Sequence, residues 1–293
     1  MPNPRAGRRP SRYRWLSVIP LVLVLIAAGV FVYVSYAPDS PFKAKLTPIS
    51  IAQAVKNYRA HPGPIHPDVK APSTMPVAPS SKIVGFKPPA EGVYSYDTTG
   101  GDWVEYNGQK YRRTFPDVTA ATVRRDGGCG WELAFQAAKE YSDGHVQCSA
   151  PGEFLCLAHI SDITFGSVAR SMKHVCRPGM VQVGGKADSP NGKNYAVCHA
   201  GKKDPSKITI TFKGAEKLPV AGKERTAYHV VLDSTVTGDV KGTAVADVWF
   251  DSQTGTYLKM VRKQDTYVQI SDSSRAYYRV RVTYRLRSLT PQV

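Results

Sequence analysis

The sequence predicts a mostly β protein: a single apolar amino-terminal span, a proline-rich linker, and a large curved antiparallel sheet with few helices. Three observations carry this. Residues 15–36, WLSVIPLVLVLIAAGVFVYVSY, hold no charged side chain. Prolines recur at 38, 41, 48, 62, 64, 67, 72, 76 and 79. From residue 91 onward, β-branched and aromatic runs alternate with Gly, Asn and Asp turns, and such short connections favour a meander over βαβ units.

Residues 1–14 form a basic tail with Arg5, Arg8, Arg9, Arg12 and Arg14 and no acid. A helix needs about 20 apolar residues to cross a bilayer, and arginines on one flank mark that side as cytoplasmic. Residues 15–36 are therefore expected to be a signal anchor at the cell membrane, single-pass, with the amino terminus cytoplasmic and the remainder extracytoplasmic. Trp15, Tyr33 and Tyr36 stand where interfacial aromatics belong. A cleaved signal peptide has a shorter apolar core, and Pro38 after Ala37 suits a first mature position poorly. Residues 37–90 read as a semi-rigid linker. One stretch of it, 49–59 (ISIAQAVKNYR), has helical spacing after Thr47–Pro48 and would rest on the membrane or on the folded domain.

Residues 91–293 read as one exported, mostly β domain with a disulfide-containing half, 91–205, and a meander half, 206–293. Strands are expected at 92–99 and 103–106, the latter joined through Asn107–Gly108, a strong hairpin signal, to 110–114. Further strands follow at 117–125 and 130–141, then a turn at Ser142–Asp143–Gly144 and a strand at 145–148. Part of 154–167 carries a helical pattern, 165–176 a strand pattern, and 177–205 is expected to be mainly loop. The last third supplies 207–212, 226–237, 243–250, 256–264 and 276–287.

Alternation in the last run is clear. Tyr278, Val280, Val282, Tyr284 and Leu286 face one way, and Arg279, Arg281, Arg285 and Arg287 the other. With Lys259 and Lys263 these arginines form a basic face, which is either an ordinary solvated surface or a contact for anionic headgroups. Past residue 36 the chain holds 34 Lys and Arg against 23 Asp and Glu, a net of +11. The stronger reading of that charge is that it keeps the domain soluble; the alternative is that the cytoplasmic membrane, lipid or an anionic envelope polymer is its neighbour, with protein partners in the envelope, and the compartment argues against nucleic acid.

Five cysteines fall between 129 and 198, which reads as a disulfide framework in an oxidising compartment. The preferred pairing is Cys129–Cys148 and Cys176–Cys198 with Cys156 free; Cys129–Cys156 is a rival. Histidines accompany the cysteines as His145-x-x-Cys148, Cys156-x-x-His159, His174-x-Cys176 and Cys198–His199. Such pairs are zinc ligands in reducing compartments, but here disulfide chemistry is the stronger expectation, so neither a metal nor a cofactor is expected. Motifs for serine, metalloprotease or phosphate-loop chemistry do not occur, so no catalytic residue is assigned.

Residues 241–263, KGTAVADVWFDSQTGTYLKMVRK, resemble the LolA-like half-barrel of bacterial lipoprotein and lipid carriers, in which an aromatic-Asp pair turns through Thr-Gly; Trp249, Phe250, Asp251, Thr254 and Gly255 match. Residues 219–231 resemble the preceding strand pair. Tyr94, Tyr96, Cys129, Gly130, Trp131, Cys148, Phe165 and Gly166 resemble a group of membrane-anchored exported proteins of high-GC Gram-positive bacteria that has no established activity. The resemblance implies a non-catalytic, membrane-tethered envelope protein whose curved sheet binds a lipid or other apolar ligand. The apolar strand faces supply the expected lining: Val230, Leu232, Val248, Phe250, Leu258, Met260, Tyr278, Val280, Val282 and Tyr284. The competing expectation is a structural or adaptor subunit of an envelope complex, and an envelope hydrolase ranks third.

Overall fold

Thirteen antiparallel strands run almost without interruption from residue 92 to 286 in the computed structural model, which describes residues 42, 45–66, 69, 86–126, 128–150, 152–185, 189–200, 204–271 and 274–293. The amino-terminal tail, the apolar segment at 15–36 and much of the linker lie outside the described residues. Among the described residues no helix is long and apolar enough to cross a membrane.

The strands are β1 (Gly92–Tyr106), β2 (Gln109–Thr114), β3 (Val118–Arg125), β4 (Gly130–Ala138), β5 (Tyr141–Ala150), β6 (Glu153–Phe165), β7 (Val168–Gly184), β8 (Lys193–Ala200), β9 (Asp204–Val220), β10 (Lys223–Val236), β11 (Val240–Asp251), β12 (Tyr257–Ser271) and β13 (Ser274–Leu286). Neighbours in sequence pair in order from β3 to β13, and β13 then pairs with β1, which pairs with β3. The expected half-barrel is therefore a closed ring. Twelve strands form it, and β2 folds back as an arm on the second half of β1. Closure satisfies both edge strands, which an open sheet would leave exposed.

Residues 100–101, read as a break between two strands, lie within one continuous β1. There β1 exchanges β3 for β2 on one side while β13 stays on the other. A Cβ on Gly100 would stand 2.0 Å from the Arg281 carbonyl oxygen, and one on Gly101 2.0 Å from that of Arg113. Glycine is needed for the close approach, not for a turn. Two other expectations are corrected. The segment 154–167 is strand β6, not helix, because its apolar residues alternate across the sheet once bulges after Phe154 and Cys156 are counted. Residues 177–205 are mostly the end of β7, all of β8 and the start of β9.

Helix α1 (Ile51–Ala60) is capped by Ser50, whose Oγ accepts from the Gln53 amide at 3.1 Å. Ala54 is buried against Val93 and Ala120, so the helix rests on the outside of β1 and β3. Before it, Thr47 donates from its amide and hydroxyl to Glu140 at 2.7 and 2.8 Å. After it, the Ile65 and His66 amides donate to the buried Glu132 carboxylate at 3.0 and 3.1 Å, and the His66 ring contacts the same group. Within the stretch read as linker, residues 45–66 are thus bound along the barrel wall.

Inside, the core is aromatic at one end. Trp131, Phe154, Phe250, Tyr257, Tyr96, Phe135 and Tyr284 are all at most 2 % exposed and in mutual ring contact. The Trp249–Gly255 hairpin closes this end. The Asp251 carboxylate accepts from the Thr254 amide at 3.1 Å and hydroxyl at 2.7 Å, and pairs bidentately with Arg225. Gly255 takes φ +67°, and a Cβ there would meet Phe154 at 3.1 Å. Cys129–Cys148 and Cys176–Cys198 are bonded and Cys156 is a free, buried thiol. The second disulfide spans a weak seam, since β7 and β8 pair only at Val175–His199 and Cys176–Cys198.

Candidate functional site

Along β12 the inward side chains change character. Leu258 and Met260 belong to the apolar core, but Arg262, Gln264 and Thr266, further along the same face, are buried polar groups. The opposite wall changes in step. On β5 the inward residues are Asp143 and His145; on β6, His159 and Ser161; on β7, His174 and Met172. Register sets them side by side: His145 pairs with His159, and His159 with His174. One row across three strands therefore presents three imidazoles to the barrel interior, with ring centroids 4.9 Å apart for the first pair and 6.4 Å for the second.

Asp143 is the hub. It is fully buried, accepts from Arg262 Nη1 at 2.5 Å and from His159 Nε2 at 2.6 Å, and lies 3.8 Å from His145 Nε2. The last distance is beyond a hydrogen bond, and His145 Nε2 is buried without one among the described residues. Burial by itself would raise the Asp143 carboxyl, but the Arg262 guanidinium and then His159 outweigh it and hold it well below the usual carboxylate range. Burial drives the His159 imidazole down to about 4; Asp143 opposes this and Arg262 reinforces it. At neutral pH the row around His159 therefore pairs a carboxylate and a guanidinium with a neutral imidazole.

The polar network continues from this floor toward one end of the barrel. Arg262 Nη2 donates to Gln264 at 2.6 Å, Gln264 to Thr266 at 3.2 Å, and Thr266 to the Tyr278 carbonyl at 3.3 Å. Tyr278 in turn donates to Asp102 at 3.0 Å, and Asp102 pairs bidentately with Arg113 at 2.9 and 2.6 Å. Two adjacent spaces lie against these residues. An inner cavity of about 120 Å³ is walled by His145, His159, His174, Arg262, Gln264 and the Cys176–Cys198 bridge, with Leu232, Val248 and Met260 opposite. An outer opening of about 810 Å³ is lined by Phe42, Val104, Phe165, Val168, Ile270 and Tyr278 among others. The two share Met172, His174, Val240 and Thr266. Arg170, Lys173 and Lys241 stand around the opening with one acid, Asp239.

Of the ten residues expected to line a ligand site, Leu232, Val248 and Met260 face the inner cavity and Tyr278 the opening. Val230, Phe250, Leu258, Val280, Val282 and Tyr284 are packed into the core. The basic face lies outside: Arg279 pairs with Glu105 and Asp265, Arg281 with Asp265, and Arg287 with Asp97. Lys259 lies 4.0 Å over the Trp249 ring. Sequence reasoning had singled out His145, His159 and His174 only as neighbours of cysteines, and missed Asp143, Arg262 and Gln264. Three of those cysteines, Cys148, Cys176 and Cys198, are in disulfides, so the histidines converge on one another instead.

No protein-family model matches this chain, and no curated protein sequence matches it. Among solved structures, the chain is similar to a "putative lipoprotein" from Parabacteroides distasonis, with 10% identity and a TM-score of 0.26 over 68% of this chain and 97% of that one. A likeness at that level carries no argument about fold or function. Neither the LolA-like resemblance nor the high-GC Gram-positive one is established by these comparisons.

Proposed function

We propose that the chain is a non-catalytic, membrane-tethered envelope protein that takes an acidic amphipathic ligand into the open end of its barrel. The opening itself carries the reading. Its volume of about 810 Å³ falls in the range of small-molecule sites, about 300–1,000 Å³, and its wall is apolar with a basic rim. An acyl or similar apolar body would lie against Val104, Phe165, Val168 and Ile270, and an anionic head would meet Arg170, Lys173 or Lys241. This moves the ligand from the broad sheet face to the barrel end, because six of the ten expected lining residues are consumed by core packing. The uncharged segment at 15–36 and the two disulfides support an extracytoplasmic, membrane-attached location.

The test is titration of the full-length chain, in lipid nanodiscs, with a fluorescent fatty-acid analogue. Saturable binding displaced by unlabelled fatty acid is expected, and Val168→Trp, which narrows the opening, should weaken it at least tenfold. Non-saturable uptake, or saturable binding indifferent to that tryptophan, would refute the reading.

A further inference from the structure

The floor of the barrel carries a second inference that does not depend on the amphipathic ligand. We propose that Asp143, His145 and His159 bind one divalent transition cation, with Zn²⁺ the best match to the donor set. Two imidazoles and a carboxylate are the borderline ligands that such ions take. Their donor atoms already lie within 4.8 Å of one another. A tetrahedral ion with bonds of about 2.0–2.1 Å needs its donors about 3.3 Å apart, so side-chain movements of about 1 Å complete the set.

The backbone fixes this arrangement. Asp143 and His145 are two residues apart on β5 and so share its inner face, and His159 is the direct cross-strand partner of His145 on β6. His145 supplies an independent sign. It is nine-tenths buried, and its Nε2 lies 3.8 Å from Asp143 yet makes no hydrogen bond among the described residues. An imidazole nitrogen held dry and unpaired costs stability, and a metal bond would recover that cost. His145 and His159 both line the inner cavity, which leaves room for a further ligand beside them.

Arg262 sets the terms of binding. Its Nη1 holds Asp143 Oδ2 at 2.5 Å, which leaves Oδ1, the oxygen beside His159 Nε2, for the cation. Arg262 Nη1 also lies 3.3 Å from His159 Nε2, so the guanidinium borders the site itself. Its charge also opposes the incoming cation, and the His159–Asp143 hydrogen bond must open, with the ring proton carried on Nδ1. Affinity should therefore be moderate, and neutralising Arg262 should raise it.

The experiment uses metal-free full-length chain titrated with Zn²⁺ against a chromogenic chelator, and separately with Co²⁺ followed by visible absorption. One equivalent is expected to bind in the micromolar range, with a Co²⁺ spectrum free of thiolate charge transfer. His145→Ala should weaken binding at least 30-fold, and His159→Ala likewise. His229→Ala is the control, because His229 sits with Glu216 and Asp247 on the outer wall; it should leave binding unchanged. Arg262→Gln should tighten Zn²⁺ at least tenfold. If Arg262→Gln does not fold, the wild-type Co²⁺ spectrum and His145→Ala decide. Absence of binding by the wild-type chain up to millimolar Zn²⁺ overturns the proposal, as does binding that survives both histidine substitutions.

Discussion

Replacing Arg262 by methionine tests whether the polar interior is held by one buried ion pair. Asp143 is fully buried and its carboxylate is neutralised by Arg262 Nη1 at 2.5 Å. Removing one member of such a pair leaves an uncompensated buried charge, which costs about 3–5 kcal/mol. The same change also strands Gln264 Oε1, which accepts from Arg262 Nη2 at 2.6 Å. With a urea slope of about 2–3 kcal/mol per M, the midpoint should fall by about 1–2.5 M. Asp143→Asn combined with Arg262→Met removes both charges and keeps an amide at the hub. That pair should recover at least half the loss, because the attraction of two buried charges scarcely exceeds what their desolvation costs. Urea unfolding of the full-length chain in nanodiscs, followed by the fluorescence of fully buried Trp131, supplies the double-mutant cycle. The reasoning fails if Arg262→Met costs under about 1 kcal/mol, or if the double variant loses as much as the two single changes summed, since either result means no coupling across the barrel.

Three further outcomes are expected. Burial pushes the Cys156 thiol up to about 12, so in the native chain it should resist iodoacetamide at pH 8 and react fully in denaturant; rapid native labelling would show an accessible thiolate. The sign of the linkage follows: this thiol favours the native state below the unfolded value of about 8.5, and the benefit is lost as pH rises from there toward 12. Replacing Cys176 and Cys198 by alanine should cost about 3 kcal/mol for a bridge spanning 22 residues, and amide exchange should rise first along β7 and β8; uniform exchange would deny the seam. On the outer wall, Arg279, Arg281 and Arg287 are already paired with carboxylates, so changing Arg285 and Lys263, which make no ion pair among the described residues, should account for most of any salt-sensitive cosedimentation with anionic vesicles; equal loss from Arg281→Gln alone would reverse that assignment.

The meander was legible because its cause is local. In β10 to β13 each strand is a β-branched or aromatic run bounded by Gly, Asp or Ser, and short turns leave antiparallel pairing as the only economical connection. The disulfides were legible only in part: the preferred pairing is the one found, but spacing alone left Cys129–Cys156 as a rival. Ring closure was not legible. It depends on β1 meeting β13 across 180 residues of chain, and the only local trace is Gly100–Gly101, whose missing side chains admit β13 and β2 at once. A glycine pair written between two alternating runs is indistinguishable from a turn until the strands on either side are known.

The site was illegible for a deeper reason. Ser142–Asp143–Gly144 has the composition of a turn and was read as one, yet the chain turns at 139–140 and carries Asp143 into the middle of β5. Asp and Gly are poor strand residues, and a fully buried aspartate is the costliest side chain that position could hold. The guanidinium of Arg262, 119 residues away in sequence, together with the His159 ring makes it tolerable, and on β12 that arginine follows Leu258 and Met260 as the first polar residue of the inner face. Both departures from local preference fall in the same row of the barrel, together with the unpaired nitrogen of His145. Methionine and leucine at these positions would have packed the interior more simply. Stability alone does not explain why a carboxylate, a guanidinium and three imidazoles meet beside an opening of about 810 Å³, so the row is where function is to be sought.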